Sequence, residues 1–299
     1  MCGGTDTTTV EAVPTGAVWD ELERQCQVDF GADTRARLTT SDVLERRRCR
    51  TCGLDHVSGG VAGDAAFYTD LGAGLHYYEQ PAKWEFHRAA KLVRPGASVL
   101  DIGCGEGVFA AMVAEVGGNP QGVDASEHSR RTMAERGFAC FPSEALIDGS
   151  IHHDRFDIVT AFQVVEHLED PRELIASAAQ VLKPGGVLLV TVPNRDRLRA
   201  SGLDPFDWPP HHVTRWGRRQ LEVLLAGAGL VDLCTTFERR HPLEIGRGML
   251  KGIRVARGRT AQTDGADPDP DAPSTLTRLL YGHTMMTSAR KPRTSDQLT

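Results

Sequence analysis

The sequence predicts an α/β protein organised as a doubly wound, mostly parallel sheet, and three observations carry that prediction. Val99–Gly107 reads Val-Leu-Asp-Ile-Gly-Cys-Gly-Glu-Gly: a β-rich run breaks at glycines in alternate positions and passes directly into the apolar helical run Val108 to Val116. From Ser98 onward strand-like and helix-like segments alternate, as in a parallel sheet flanked by helices. Val187–Val192 is an almost uninterrupted apolar run, as expected of a strand covered on both faces.

Bulk properties bound the rest. A chain of 299 residues can bury one sizeable core, so one main domain with a small appendage and tails is expected. With 40% hydrophobic and 25% charged residues the composition is that of a globular protein, and no apolar run approaches the roughly 18 residues of a membrane span. No charged stretch followed by an apolar one opens the chain, so a cytoplasmic location and no membrane partner are expected. The net charge of -6 argues against nucleic acid as a bulk electrostatic partner. Seven cysteines, an odd number, suggest reduced thiols, with Cys104, Cys140 and Cys234 read as packing residues.

In chain order, residues 1–17 are rich in Thr and Gly and are expected to be a disordered leader. Residues 18–60 form the appendage, which contains Cys26 and the run Arg-Arg-Arg-Cys49-Arg-Thr-Cys52-Gly53. Two thiols two residues apart, followed by glycine, make half of a zinc knuckle. The main domain is expected over 61–292. It opens with an aromatic segment holding Tyr68, Tyr77 and Tyr78, then a helix from about Pro81 to Val93. Strands are expected at Ser98–Ile102, Gln121–Asp124, Phe138–Phe141, Phe156–Phe162, Val187–Val192, Leu230–Glu238 and 282–291, with 243–280 as an insertion and 293–299 as a tail.

The glycine turn suggests a ligand lying against backbone amides, since Gly103, Gly105 and Gly107 can reach conformations that a Cβ forbids. A dinucleotide fingerprint would need its third glycine at position 108, which is Val108. Asp124 follows Gly103 by 21 positions, at the end of the second strand, where a carboxylate can accept hydrogen bonds from both hydroxyls of a ribose. Ser126 is then left to cap the next helix.

Asp101-Ile-Gly-Cys-Gly-Glu-Gly107 resembles motif I of the class I methyltransferases that use S-adenosylmethionine (SAM). The pairing of Glu166-His167-Leu-Glu-Asp-Pro171 with Leu182-Lys-Pro-Gly-Gly186 resembles that family's later motifs, and the likeness covers about Tyr77 to Lys291. It implies a Rossmann-like methyltransferase fold of seven strands with an antiparallel seventh, and SAM as cofactor. It further implies cofactor contacts from Asp101, Gly103, Gly105, Gly107, Asp124, Ala125, Phe162 and Gln163, adenine contacts from Ser143 and Glu144, and closure of the cofactor's methionine end by Tyr78. Trp84 is open between that lining and the core. The appendage resembles the zinc ribbons found before such domains, with Cys26-Gln-Val-Asp29 in place of a second Cys-x-x-Cys. Cys26, Asp29, Cys49 and Cys52 are therefore the candidate ligands of a structural zinc, and a degenerate ribbon without metal is the alternative.

Methyl transfer from a sulfonium needs donor and acceptor held in line, and a hydroxyl acceptor gains from a base. His167, His211 and His212 fall at the expected carboxyl-end rim of the sheet, where ligands of open α/β folds bind. With His211 and His212 in an extended segment, only one imidazole is expected to face the site, and His212 with His167 is the expected pair. The resemblance also offers a divalent metal near Glu166 and His167, although Gln163 stands where that pattern has glutamate. The reading is a methyltransferase acting on a small-molecule acceptor, with a hydroxyl as acceptor and natural-product tailoring as its setting. A catalytically inactive SAM-binding partner subunit and a metal-assisted O-methyltransferase are the alternatives.

Overall fold

A computed structural model describes residues 4–74, 83–197, 203–239 and 281–297. Its strands are β1 (Thr7–Pro14), β2 (Val43–Cys49), β3 (Asp55–Ser58), β4 (Ser98–Ile102), β5 (Asn119–Val123), β6 (Ala139–Phe141), β7 (Phe156–Phe162), β8 (Leu182–Pro193), β9 (Thr214–Arg215), β10 (Val231–Arg239) and β11 (Tyr281–Arg290). The helices are α1 (Thr15–Cys26), α2 (Gly31–Leu38), α3 (Ala65–Gly74), α4 (Trp84–Ala90), α5 (Val108–Glu115), α6 (Glu127–Glu135), α7 (Glu144–Ile147), α8 (Arg172–Val181) and α9 (Arg218–Gly227).

Seven strands form the main sheet in the order β10-β11-β8-β7-β4-β5-β6. The pairs of β4 with β5 and β7, of β5 with β6 and of β7 with β8 are parallel, whereas β11 runs antiparallel to β8 and β10. Side chains alternate between two apolar layers, as the two-residue period of a strand requires. Leu100, Val159, Leu188 and Val190 face the larger cluster with α8 and α9, while Val99, Ile158, Phe162 and Leu189 face Phe86 and Phe109 of α4 and α5. The expected strand at Phe156–Phe162 coincides with β7, and that at Ser98–Ile102 with β4.

The N-terminus departs from expectation. Thr7–Pro14, assigned to the leader, is a strand that pairs antiparallel with β2 from Thr7↔Cys49 to Pro14↔Val43. Its Thr and Val residues are β-branched and suit a half-buried edge. A second sheet, β1-β2-β3-β9, results, and β9 comes from the loop after β8, so the appendage is joined by hydrogen bonds to the main domain's rim. Asp55 ties this sheet together, with Arg48 Nε at 2.6 Å, Arg46 Nη1 at 2.7 Å and Arg195 Nη1 at 3.6 Å from its carboxylate oxygens. Beside the sheet Trp19, Leu22, Cys26, Phe30, Leu38, Phe67 and Leu71 make a small core of their own. The expected insertion 243–280 lies outside the described residues, and the last described residues are held by an Arg290–Asp296 pair at 2.8 Å. Among the described residues no helix is long and apolar enough to cross a membrane.

Candidate active site

The carboxyl ends of β4, β5, β7 and β8 converge on one rim, and the candidate residues gather there. After β4 the chain turns through Gly103, Gly105 and Gly107 with φ of +71°, +51° and +80°, values that L side chains avoid. A Cβ on Gly103 would lie 2.6 Å from Val164, and one on Gly107 would lie 2.2 Å from the Met133 sulfur, so these two glycines allow close packing. A Cβ on Gly105 would meet nothing within 4 Å, so this part of the loop faces open space. Asp124 links loop and strand: its Oδ2 accepts from the Gly105 amide at 2.9 Å and its Oδ1 from the Ser126 amide at 2.8 Å. Ser126, not Asp124, caps α6 by accepting from Ser129 N–H at 3.3 Å. The Gly105 amide is thus engaged by Asp124, while the space where a Gly105 Cβ would stand is open.

Asp101 sits beneath this cradle, fully enclosed, with Thr160 Oγ1 donating to it at 2.6 Å; burial pushes its carboxyl up to about 7. Ala125 is exposed beside Asp124, its carbonyl accepting from Arg130 at 2.8 Å. Ser143 and Glu144 begin α7 beyond the end of β6, Glu144 exposed. Phe162 differs from its expected role: its ring is buried 5.0 Å from Phe109 and 5.2 Å from Phe86, centroid to centroid, in the core. Gln163, at φ +56°, turns its side-chain amide to Thr191 Oγ1 at 3.3 Å. Tyr78 lies outside the described residues.

The three rim histidines do come together, but not as an extended segment would place them. His211 and His212 lie in a turn, both amides donating to the Trp208 carbonyl at 3.0 and 3.1 Å, so both imidazoles point the same way. Their ring centroids are 4.3 Å apart, and His167 is 4.8 Å from His211 and 4.9 Å from His212. This corrects the expectation of a single inward imidazole. His167 Nδ1 donates to the His211 carbonyl at 2.6 Å, which leaves Nε2 as its basic nitrogen, and the Tyr68 hydroxyl lies 2.7 Å from Nδ1. His211 Nδ1 donates to the Phe206 carbonyl at 3.1 Å. His212 makes no ring hydrogen bond among the described residues; its Nε2 is 3.9 Å from Glu166 Oε1 and its Nδ1 4.0 Å from Asp207 Oδ1.

Burial keeps all three rings neutral. It depresses His167 to about 4, against the pull of the His211 and Gln163 carbonyls, and His211 to about 3, while His212 falls well below the usual range. Glu166 is 1% exposed, and neither carboxyl oxygen has a hydrogen-bond partner among the described residues; burial raises it to about 8. Two residues that sequence reasoning passed over also belong here. Tyr68 reaches His167 from α3, and Lys83 is a half-buried cation facing Glu85, Asp101 and Glu166, its ammonium lowered by burial. The available signal for Lys83 is a lysine immediately before the helix that Trp84 opens.

The zinc set does not assemble. Cys26 is buried in the apolar cluster of α1, and burial raises its thiol to about 11. Asp29 is exposed and accepts from the Gly31 amide at 2.8 Å. Cys49 and Cys52 occupy the β2–β3 turn, where Gly53 N–H donates to the Cys49 carbonyl at 2.8 Å and Gln220 to the Cys52 carbonyl at 3.1 Å. Among the described residues the one group of three or more ligand-type side chains in reach of a common ion is His167, His211 and His212, with ligand atoms within 4.8 Å of one another.

Comparison with known proteins bears on the family and the fold. A family model described as a methyltransferase domain matches residues 75–235, more than half of the chain. The chain is 33% identical over 189 residues to a ubiquinone biosynthesis O-methyltransferase of Chelativorans sp. (strain BNC1), covering 56% of this chain and 73% of that protein. In fold it is similar to a SAM-dependent methyltransferase from Archaeoglobus fulgidus, at a TM-score of 0.52 and 24% identity over 69% of this chain and 91% of that one. It is also similar to phosphoethanolamine N-methyltransferase 2 of Haemonchus contortus, solved with SAM, at 0.50 and 20% over 72% and 54%. The chain therefore belongs to the methyltransferase-domain family. It is a methyltransferase.

Proposed function

We propose that the protein methylates a hydroxyl oxygen of a small molecule, with natural-product tailoring as a fitting setting, and that the acceptor lies between the glycine cradle and the three imidazoles. The observation that carries this reading is the placement of a loop amide and Asp124 on one side of the rim and three neutral imidazoles, those of His211 and His212 buried, on the other. The curated relative is named as an O-methyltransferase, which supports oxygen as the acceptor. SAM supplies an electrophilic methyl on a sulfonium. Gly103, Gly105 and Gly107 receive its amino-acid portion and Asp124 its ribose hydroxyls. Lys83 faces the anionic side of the cradle, Asp101 supports the loop from below, and Ser143 and Glu144 border the adenine. His212, with no hydrogen bond to its ring nitrogens among the described residues, accepts the acceptor's proton, and His167 fixes the cluster through the His211 carbonyl.

A second reading has its own observation: three imidazoles with ligand atoms within 4.8 Å, two of them anchored through Nδ1 to carbonyls, fit a divalent ion that favours nitrogen ligands. Gln163 is turned away to Thr191 and adds no carboxylate to such a set.

The cofactor assignment is tested with Asp124→Ala. Loss of hydrogen bonds to a charged acceptor, worth about 1.5–3 kcal/mol, should lower SAM affinity roughly tenfold to a hundredfold. Calorimetry showing unchanged affinity would overturn the ribose assignment, and a screen of small hydroxylated acceptors for release of S-adenosylhomocysteine tests the reaction.

A further inference from the structure

Cys104 and Cys140 are far apart in sequence and meet in space. Cys104 stands between Gly103 and Gly105 in the cofactor loop, Cys140 is in β6, and their sulfurs are 3.4 Å apart. Strand β5 lies between their strands, so the two thiols meet across it. What lets them meet is Gly122, which pairs with Asp101 on one side and Cys140 on the other. A Cβ there would lie 2.4 Å from the Cys104 sulfur and 2.8 Å from Met133 Cε. The two thiols differ in access: Cys104 is buried at 7% exposure, and Cys140 is half-buried.

We propose that Cys104 and Cys140 form a reversible oxidation site, in which hydrogen peroxide converts the pair to a disulfide that deforms the cofactor loop and lowers SAM affinity. The loss of affinity rests on the reading that this loop holds SAM. The accessible Cys140 thiolate attacks peroxide, breaking the O–O bond and leaving Cys140 as a sulfenic acid while hydroxide takes a proton to become water. The Cys104 sulfur then attacks the Cys140 sulfur; the S–S bond forms, the S–O bond breaks, and hydroxide departs with the Cys104 proton as a second water. Two thiols and one peroxide give one disulfide and two waters, and an added dithiol reverses the change. The hydrogen bond from Cys104 lowers the Cys140 thiol's proton affinity against the opposing effect of burial, consistent with Cys140 reacting first.

The coupling to the cofactor is mechanical. A disulfide needs about 2.05 Å between sulfurs, so the pair must close by about 1.3 Å from its present separation. Cys104 is hemmed in by Gly122 and Met133, and its amide, like that of Gly103, donates to the Val123 carbonyl. The same loop holds Asp124 through the Gly105 amide, and Asp124 N–H donates to the Phe141 carbonyl next to Cys140. Drawing Cys104 toward β6 shifts the amide that positions Asp124.

The test begins with the full reduced chain, whose SAM affinity is measured by calorimetry; absence of binding at this stage would count against the SAM reading alone. Peroxide is then added, remaining thiols are alkylated, and peptides are mapped by mass spectrometry. The expected result is a Cys104–Cys140 linked peptide two hydrogens lighter, a SAM affinity at least tenfold weaker, and recovery of both with dithiothreitol. Cys140→Ser should bind SAM like the reduced wild type and keep that affinity through peroxide treatment. Alkylation of both cysteines after peroxide would overturn the proposal, as would a linked pair with undiminished SAM affinity.

Discussion

Two carboxylates are equally enclosed in this molecule and have opposite fates. Asp55, at 0% exposure in the N-terminal sheet, meets Arg48, Arg46 and Arg195; Glu166, at 1% on the rim, meets no hydrogen-bond donor among the described residues. Burial alone would raise both. At Asp55 the Arg48 hydrogen bonds and the charges of Arg195, Arg48 and Arg46 overcome it and hold the carboxyl below its ordinary range, whereas Glu166 is pushed up to about 8. Burial thus does not decide whether a carboxylate is charged; its partners do. The paired group serves the fold, while Glu166 lies beside His212 in the proposed site, 3.9 Å from its Nε2.

The largest effect is expected from removing the paired charge. Asp55→Asn leaves Arg46, Arg48 and Arg195 beside a neutral side chain, and breaking a buried ion pair by taking one partner away costs about 3–5 kcal/mol. Unfolding by denaturant should show that loss. Because the folded-state value of Asp55 is depressed, its contribution is complete above the ordinary value of 3.8 and is lost as the pH falls through the folded value. The wild type should therefore lose stability on acidification below about pH 4, a decline that Asp55→Asn should show in reduced degree. Equal acid sensitivity in the two proteins would place the weak point elsewhere.

Next in size is the effect of a rim histidine. His212→Ala should keep SAM affinity, since the Gly105 and Ser126 amides hold the Asp124 carboxylate, and lose about 10²-fold in kcat, equivalent to about 2.7 kcal/mol in the barrier. With the imidazole as proton acceptor, chelator should leave the wild type unchanged. Activity abolished by chelator and restored by Zn²⁺ would favour the metal reading of His167, His211 and His212 instead. Full activity in His212→Ala, with or without chelator, would remove the proton-accepting role and leave positioning as the source of rate.

The parts of the molecule legible in the sequence were those whose chemistry is local. The glycine turn, the end of β5 at Asp124, the Ser126 cap and the bounds of β4 and β7 depend on residues within a few positions of one another. What depended on distant partners was not legible. Thr7–Pro14 carries too few apolar residues to announce a strand and is one because β2 offers it an edge. Cys49 and Cys52 have the spacing of zinc ligands, yet Cys26 is drawn into the Trp19 cluster and Asp29 into a turn, so no four-ligand shell forms. The histidines show the reverse: adjacent positions in a strand diverge, but the turn on the Trp208 carbonyl makes His211 and His212 converge. The resemblance implies a cofactor contact for Phe162, while its burial between Phe86 and Phe109 follows from the alternation along β7.

The smallest expected effect sharpens the contrast between the two carboxylates. Glu166→Gln keeps the shape of the side chain and removes no hydrogen bond, because neither carboxyl oxygen has a partner among the described residues. Replacing a buried polar group by an isosteric one without loss of partners should change stability by less than about 1 kcal/mol, well below the cost at Asp55. The backbone of Glu166 is unaffected by the change, and its carbonyl still accepts from Val213 N–H at 3.0 Å and Thr214 Oγ1 at 3.3 Å, so the rim loops stay joined. Denaturant unfolding of both variants at neutral pH is the measurement. A loss at Glu166→Gln as large as that at Asp55→Asn would show that the Glu166 carboxylate has an essential partner in the folded protein, and the division between a structural and a site carboxylate would fail.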